Sequence, residues 1–171
     1  SLIMRYGKQG LKGRCSHDHD DALSVWLFYK GIDILVDEGC HSYTLDKNIR
    51  EKYILSSAHN VLKIKGKERY QLIDGSIVKT VRGAYIGDIL DFGLKTKKLY
   101  FNSKLKLDLK SDFIFSKRNV EIKNKSSFLE TLIVDNWKLK NNNMLEINWR
   151  FGVDFIPEII ENNLHDIKLC F

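Results

Sequence analysis

Apolar and polar residues alternate along most of this chain. Leu62-Lys63-Ile64-Lys65 and Lys104-Leu105-Lys106-Leu107 are clear instances. A period of two places every second side chain on one face, as in a strand buried on one side. Leu2 to Tyr6 reads as a short strand ahead of a turn containing Gly7, Gly10 and Gly13. Leu23 to Tyr29 is rich in β-forming residues, Lys30-Gly31 makes a turn, and Asp33 to Val36 returns, which predicts a hairpin. Residues 45–55 break the period and predict a short helix or irregular excursion. From Asn60 the pattern predicts strands at 60–65, 69–73, 77–82, 84–91, 97–101, 104–109, 112–116, 119–124, 128–135 and 144–151. Gly66, Asp74-Gly75, Gly83, Asn102-Ser103, Lys110-Ser111 and Asn141-Asn142-Asn143 punctuate them. After the single proline, Pro157, the pattern thins, and Ile167 to Phe171 reads as a last strand. Turns at this spacing imply antiparallel strands in a sandwich or barrel, and the fold class expected is an all-β antiparallel two-sheet β-sandwich.

Composition narrows the class. At 171 residues, 43% hydrophobic and 29% charged, the chain fits one globular domain, 1–171, able to bury a core without disulfides. No apolar run reaches the roughly 20 residues that span a bilayer, so no membrane insertion is expected. The N-terminus has no apolar stretch of the kind an export signal needs. Cys15, Cys40 and Cys170 are odd in number and lack CxxC spacing, which argues against a disulfide framework or a thiolate zinc site. The formal charge of +6 favours anionic partners. The lysines mostly alternate with apolar residues, as on the wet face of half-buried strands, and no aromatic or basic-helix motif points to nucleic acid.

The candidate chemistry gathers in Cys15-Ser16-His17-Asp18-His19-Asp20-Asp21, followed by Asp37 and His59. His17 and His19, two residues apart in an extended segment, share a face and can meet one ion or one substrate. Asp37 ends a strand at a Gly turn, and His59 opens the next strand. A His/Asp/His set from three segments suits zinc or another borderline metal at about 2.0–2.2 Å, with a position left for water. Asp20 and Asp21 also suit a turn, fixed by hydrogen bonds to backbone N–H groups. His41 and His165 have no such company and read as surface or packing residues. Trp26, Trp137 and Trp149 read as core, although an exposed one would stack on sugar rings.

The segment His17-Asp18-His19-Asp20-Asp21-Ala22-Leu23-Ser24 resembles the H-x-H-x-D-x-L-S stretch of heparinase II/III-like proteins. Leu35-Val36-Asp37-Glu38-Gly39, Ser42-Tyr43 and Ser56-Ser57-Ala58-His59-Asn60-Val61 resemble the motifs that follow it in that family, in the same order. Ile133-Val134-Asp135 and Trp149 to Pro157 fit later strands loosely. The resemblance implies the C-terminal, supersandwich-like β-domain of a polysaccharide lyase whose N-terminal (α/α) toroid is missing from this chain. It implies β-elimination on uronic-acid-containing anionic polysaccharide, with His17 as the catalytic histidine facing the cleft and Tyr43 in contact with substrate. It implies His19, Asp37 and His59 as ligands of a structural zinc. It also suggests a bacterial periplasmic or secreted setting.

Two features depart from the family pattern. Asp18 and Asp20 stand where small residues are common, beside a cleft expected to take an anionic sugar, and no histidine is evident near Met144-Leu145-Glu146. Two rivals follow. One is a non-catalytic carbohydrate-binding or surface-polysaccharide biosynthesis module, suggested by the sandwich pattern and three tryptophans. The other is a cupin-like metalloprotein, which a Glu about four residues after the histidine pair would favour; Leu23 and Ser24 stand there instead.

Overall fold

The computed structural model describes residues 1–5, 7–8, 18–42, 46–66, 70–73, 77–80, 85–95, 98–107, 113–124, 129–139, 144–154, 156, 158–162 and 167–170. Among these residues the fold is all-β, with antiparallel strand pairing and one short α-helix. The strands are β1 (Leu2–Met4), β2 (Gly7–Lys8), β3 (Val25–Tyr29), β4 (Ile32–Leu35), β5 (Leu62–Ile64), β6 (Tyr70–Ile73) and β7 (Ile77–Thr80). They continue with β8 (Tyr85–Lys95), β9 (Lys98–Leu107), β10 (Phe113–Asn124), β11 (Leu129–Leu139), β12 (Leu145–Ile147), β13 (Glu158–Asn162) and β14 (Ile167–Cys170). The helix α1 covers Lys47–Ile54.

The expected hairpin is β3–β4. Lys30 and Gly31 both take positive φ, 50° and 87°, so a two-residue turn of matching twist joins Tyr29 to its partner Ile32. β1 completes a three-stranded sheet, β1-β3-β4, and a five-stranded sheet runs β11-β10-β9-β8-β2. The two meet through a core of Val25, Leu27, Ile34 and Leu35 on one side and Val120 on the other, with Ile122, Leu129, Ile133, Trp149 and Phe151 packed around them. Leu62 and Ile64 form a second cluster with Leu139 and Leu145, where β5 pairs β12. Lys63 between them is only half-buried, as the alternation requires.

Several boundaries differ from the sequence reading, three of them instructively. Asn102-Ser103 lies within β9, in register with Asn119 and Arg118. β10 likewise runs unbroken through Ser116-Lys117-Arg118. Both strands have neighbours on each side, so ladder hydrogen bonds outweigh local turn preference. Glu158–Asn162 forms a strand beyond Pro157, paired with β14.

The helix begins at Asp46, whose carboxylate accepts from Asn48 N–H at 2.7 Å and Ile49 N–H at 3.3 Å. Its C-terminal end meets the Asp-rich segment, where Asp20 N–H donates to the Ile54 carbonyl at 2.8 Å. A 3-10 turn over Ser56–Ala58 follows and delivers His59. The tryptophans divide: Trp26 and Trp137 are 41% and 46% exposed, which corrects their reading as core, while Trp149 packs against the core cluster. The alternation explains Trp26, since its strand neighbours Val25 and Leu27 take the buried face.

Candidate functional site

Three segments converge where the three-stranded sheet meets the loop after α1. Asp37 lies just past β4, whose end is tied down by Val36 N–H to the Arg150 carbonyl at 2.9 Å. Its Oδ1 accepts from Gly39 N–H at 3.0 Å, and Gly39 sits at φ 64°, so the carboxylate is held by its own turn. His59 is fully buried, and its Nδ1 lies 2.6 Å from Asp37 Oδ2. The ring of His19 stands beside it, centroids 5.3 Å apart and tilted by 43°.

The electrostatics follow from this packing. Burial lowers the His19 pKa to about 4, with the neighbouring His59 adding to the effect and Asp37 opposing it. His19 is therefore a neutral imidazole near neutral pH. Burial pushes Asp37 up, but hydrogen bonds from His59, Gly39 N–H and the Trp26 indole outweigh it and leave the carboxyl below its ordinary value. Asp21 goes the other way: burial raises it to about 6, against the pull of Arg5, whose Nε lies 3.2 Å from Asp21 Oδ1.

Beneath the three side chains lies a polar hub that sequence reasoning missed. Asn60 is fully buried. Its amide donates to the carbonyls of Val25 and Val36, and its Oδ1 accepts from Arg150 N–H at 2.6 Å. Its backbone N–H donates to Ser24 Oγ at 3.1 Å. Arg118, 1% exposed, reaches across from β10. It holds Asp135 through Nε and Nη2 at 2.8 and 2.7 Å, and its Nη1 donates to the carbonyls of Leu23 and Asn60. The guanidinium also lies over Trp149, 5.2 Å from the ring centroid. Leu23 has φ 66°, an unfavourable conformation for a leucine, and its peptide is held by Arg118 and by Leu23 N–H to the Arg5 carbonyl at 3.0 Å. Arg118 thus fastens both loops of the site to the large sheet. The sequence reading places it between the strands 112–116 and 119–124, so nothing there marks it as buried.

The structure brings His59 against both Asp37 and His19. His17 and Tyr43 lie outside the described residues. His41 is apart, stacked on Tyr53 at 5.7 Å. Two imidazoles and a carboxylate are donor types that zinc takes. His19 is neutral and Asp37 ionised, and His59 Nε2 is buried without a hydrogen-bond partner. The donors therefore fit a zinc ion in kind. Their spacing is that of a hydrogen-bonded pair with an imidazole beside it; among the described residues no three His, Cys, Asp or Glu side chains stand ready around one ion.

A family model described as Heparinase II/III-like, C-terminal, matches residues 1–99. That span contains His17, His19, Asp37, Tyr43 and His59. No curated protein and no solved structure matches the chain.

Proposed function

We propose, since this chain belongs to the heparinase II/III-like family through its C-terminal domain, that it forms one wall of a polysaccharide lyase acting on uronic-acid-containing anionic glycans. The observation that carries the proposal is the buried Asp37–His59 pair with His19 against it, inside the matched span. His19, Asp37 and His59 would hold a structural zinc. When bound, such an ion ties three segments together and fixes the position of His19, two residues from His17. His19, already neutral, needs no deprotonation to serve as a ligand.

In β-elimination a base removes the proton at C5 of the uronate. The electron pair forms the C4–C5 double bond, and the C4–O4 bond breaks with protonation of the leaving oxygen. His17 is assigned a proton transfer in this sequence and Tyr43 a contact with the sugar. The remaining groups come from an N-terminal helical domain that forms the opposite wall. The isolated chain therefore binds zinc and does not cleave.

Two measurements test this. Elemental analysis of protein purified without added metal should find about one zinc per chain; absence of any transition ion refutes the metal site. Ultraviolet absorbance of unsaturated uronate, followed with acidic glycans, should stay flat for this chain alone. It should rise when the chain is joined to its helical partner, and His17→Ala should abolish that rise. A joined enzyme that releases no unsaturated product, with zinc in place, refutes the lyase reading. The exposed indoles of Trp26 and Trp137 favour a second reading, a carbohydrate-binding module, which predicts glycan binding by the joined protein without turnover.

A further inference from the structure

The outer face of the three-stranded sheet carries features that neither the zinc site nor the elimination uses. Ile3, Trp26 and Phe28 are 55%, 41% and 44% exposed. Trp26 faces Ile3 across the β1–β3 pair, and Phe28 follows two residues on, on the same face.

Two hollows meet at the Trp26 ring, and Ile3 and Asp37 also line both. One, of about 310 Å³, also takes in Phe28 and Asp33. The other, of about 350 Å³, also takes in Met4, Arg5 and Asp21. Each is large enough for one sugar ring, at the lower end of the range for small-ligand sites. Their make-up is an apolar floor with a few polar groups at the edge. An amphipathic pyranose needs that combination, with C–H faces that lie on an indole and hydroxyls that bond carboxylates.

The charge selects among sugars. Asp33 and Asp37 border the first hollow, and Asp21 and Asp37 the second. Among the described residues that line the hollows, the cationic side chain is Arg5, and it is already engaged by Asp21 at 3.2 Å and Asp18 at 3.8 Å. Arg5 and a zinc ion on Asp37 would together offset three of the four negative charges of Asp18, Asp21, Asp33 and Asp37, so a further carboxylate brought beside Trp26 would still meet like charge. We propose that Trp26 and the two flanking hollows form a platform for neutral sugar rings, hexose or N-acetylhexosamine, adjoining Asp37. This rests on the glycan reading above and deepens it: the uronate belongs elsewhere, and the platform holds neutral rings of the same chain.

Calorimetric titration of the zinc-loaded 171-residue chain tests it, with N,N′-diacetylchitobiose and cellobiose as neutral probes and digalacturonate as the acidic one. At least one neutral disaccharide should bind about tenfold or more tightly than digalacturonate. Trp26→Ala should weaken neutral binding about tenfold, the loss expected from a stacking indole and its buried area, whereas Trp26→Phe should keep it within about threefold. Phe28→Ala should weaken it as well, and Trp137→Ala should leave it unchanged. Neutral binding that survives Trp26→Ala and Phe28→Ala, or tighter binding of digalacturonate, overturns the platform. So does absence of neutral binding in the parent chain. The joined enzyme's production of unsaturated uronate is read separately, so the platform can fail while the lyase assignment stands, and the reverse.

Discussion

Replacing Arg118 with methionine should cost more stability than any other single change at the interface between the large sheet and the site loops. Arg118 is 1% exposed, and its partner Asp135 shows 6% of its side chain. The pair is bidentate, at 2.8 and 2.7 Å. Arg118→Met keeps much of the volume but leaves the Asp135 carboxylate buried without its cation, a loss of about 3–5 kcal/mol. The carbonyls of Leu23 and Asn60 lose donors at the same time. The double variant Arg118→Met/Asp135→Leu removes the stranded charge. Its residual cost is that of the two carbonyls, about 1–3 kcal/mol each at most. Both variants lose the same carbonyl donors, so the double variant should be more stable than Arg118→Met alone by about 3–5 kcal/mol, the cost of the stranded charge. Arg118→Lys should recover little, because a single ammonium cannot span a carboxylate and two carbonyls in one plane. Urea unfolding followed by far-UV circular dichroism measures these differences, and the melting temperature should fall by about 10 °C for Arg118→Met. A cost below about 1 kcal/mol, or a double variant less stable than the single one, would show that Arg118 is not the fastening described.

Four other outcomes follow from the geometry. Asp37→Asn keeps the shape but removes the charge that His59 faces, so zinc affinity should drop at least tenfold or so in competition with a chromophoric chelator. Gly152→Ala should cost about 2 kcal/mol or more by chemical denaturation, because a Cβ there would lie 2.1 Å from the Asp33 carbonyl oxygen, a backbone atom with little room to yield. For Asp21, folding raises the pKa from 3.8 to about 6, so the folded form binds the proton more tightly than the unfolded one. The stability this gives is complete below pH 3.8 and lost as pH rises through about 6. Measured on chelator-treated protein, Asp21→Asn should thus gain on the parent by up to about 3 kcal/mol at pH 7 relative to pH 4, and a gain independent of pH would contradict the assignment. Asp46→Ala removes the carboxylate that caps α1 and should cost about 1 kcal/mol in the same assay.

Much of this protein was legible along the chain. The period of two with regular turn residues implied antiparallel β-structure, and the loss of that period at 45–55 marked α1. The ordered motifs marked the segments that carry His19, Asp37 and His59, and His59 lies against the other two. Each signal is local: a strand's alternation, a hairpin's Lys30-Gly31 turn and a motif's spacing are written within a few residues of where they act. Tertiary structure decided the rest. Asn102-Ser103 continues a strand because flanking strands supply hydrogen bonds that no local window contains. Trp26 is exposed although hydrophobic, because Val25 and Leu27 claim the buried face of the same strand. Arg118 is buried although charged, because its cross-strand partner Asp135 and the carbonyls of Leu23 and Asn60, remote in the chain, together accept four hydrogen bonds from it. Burial and pairing are properties of the packed chain, so the hub under the site and the depressed pKa of His19 emerge only when remote segments come together.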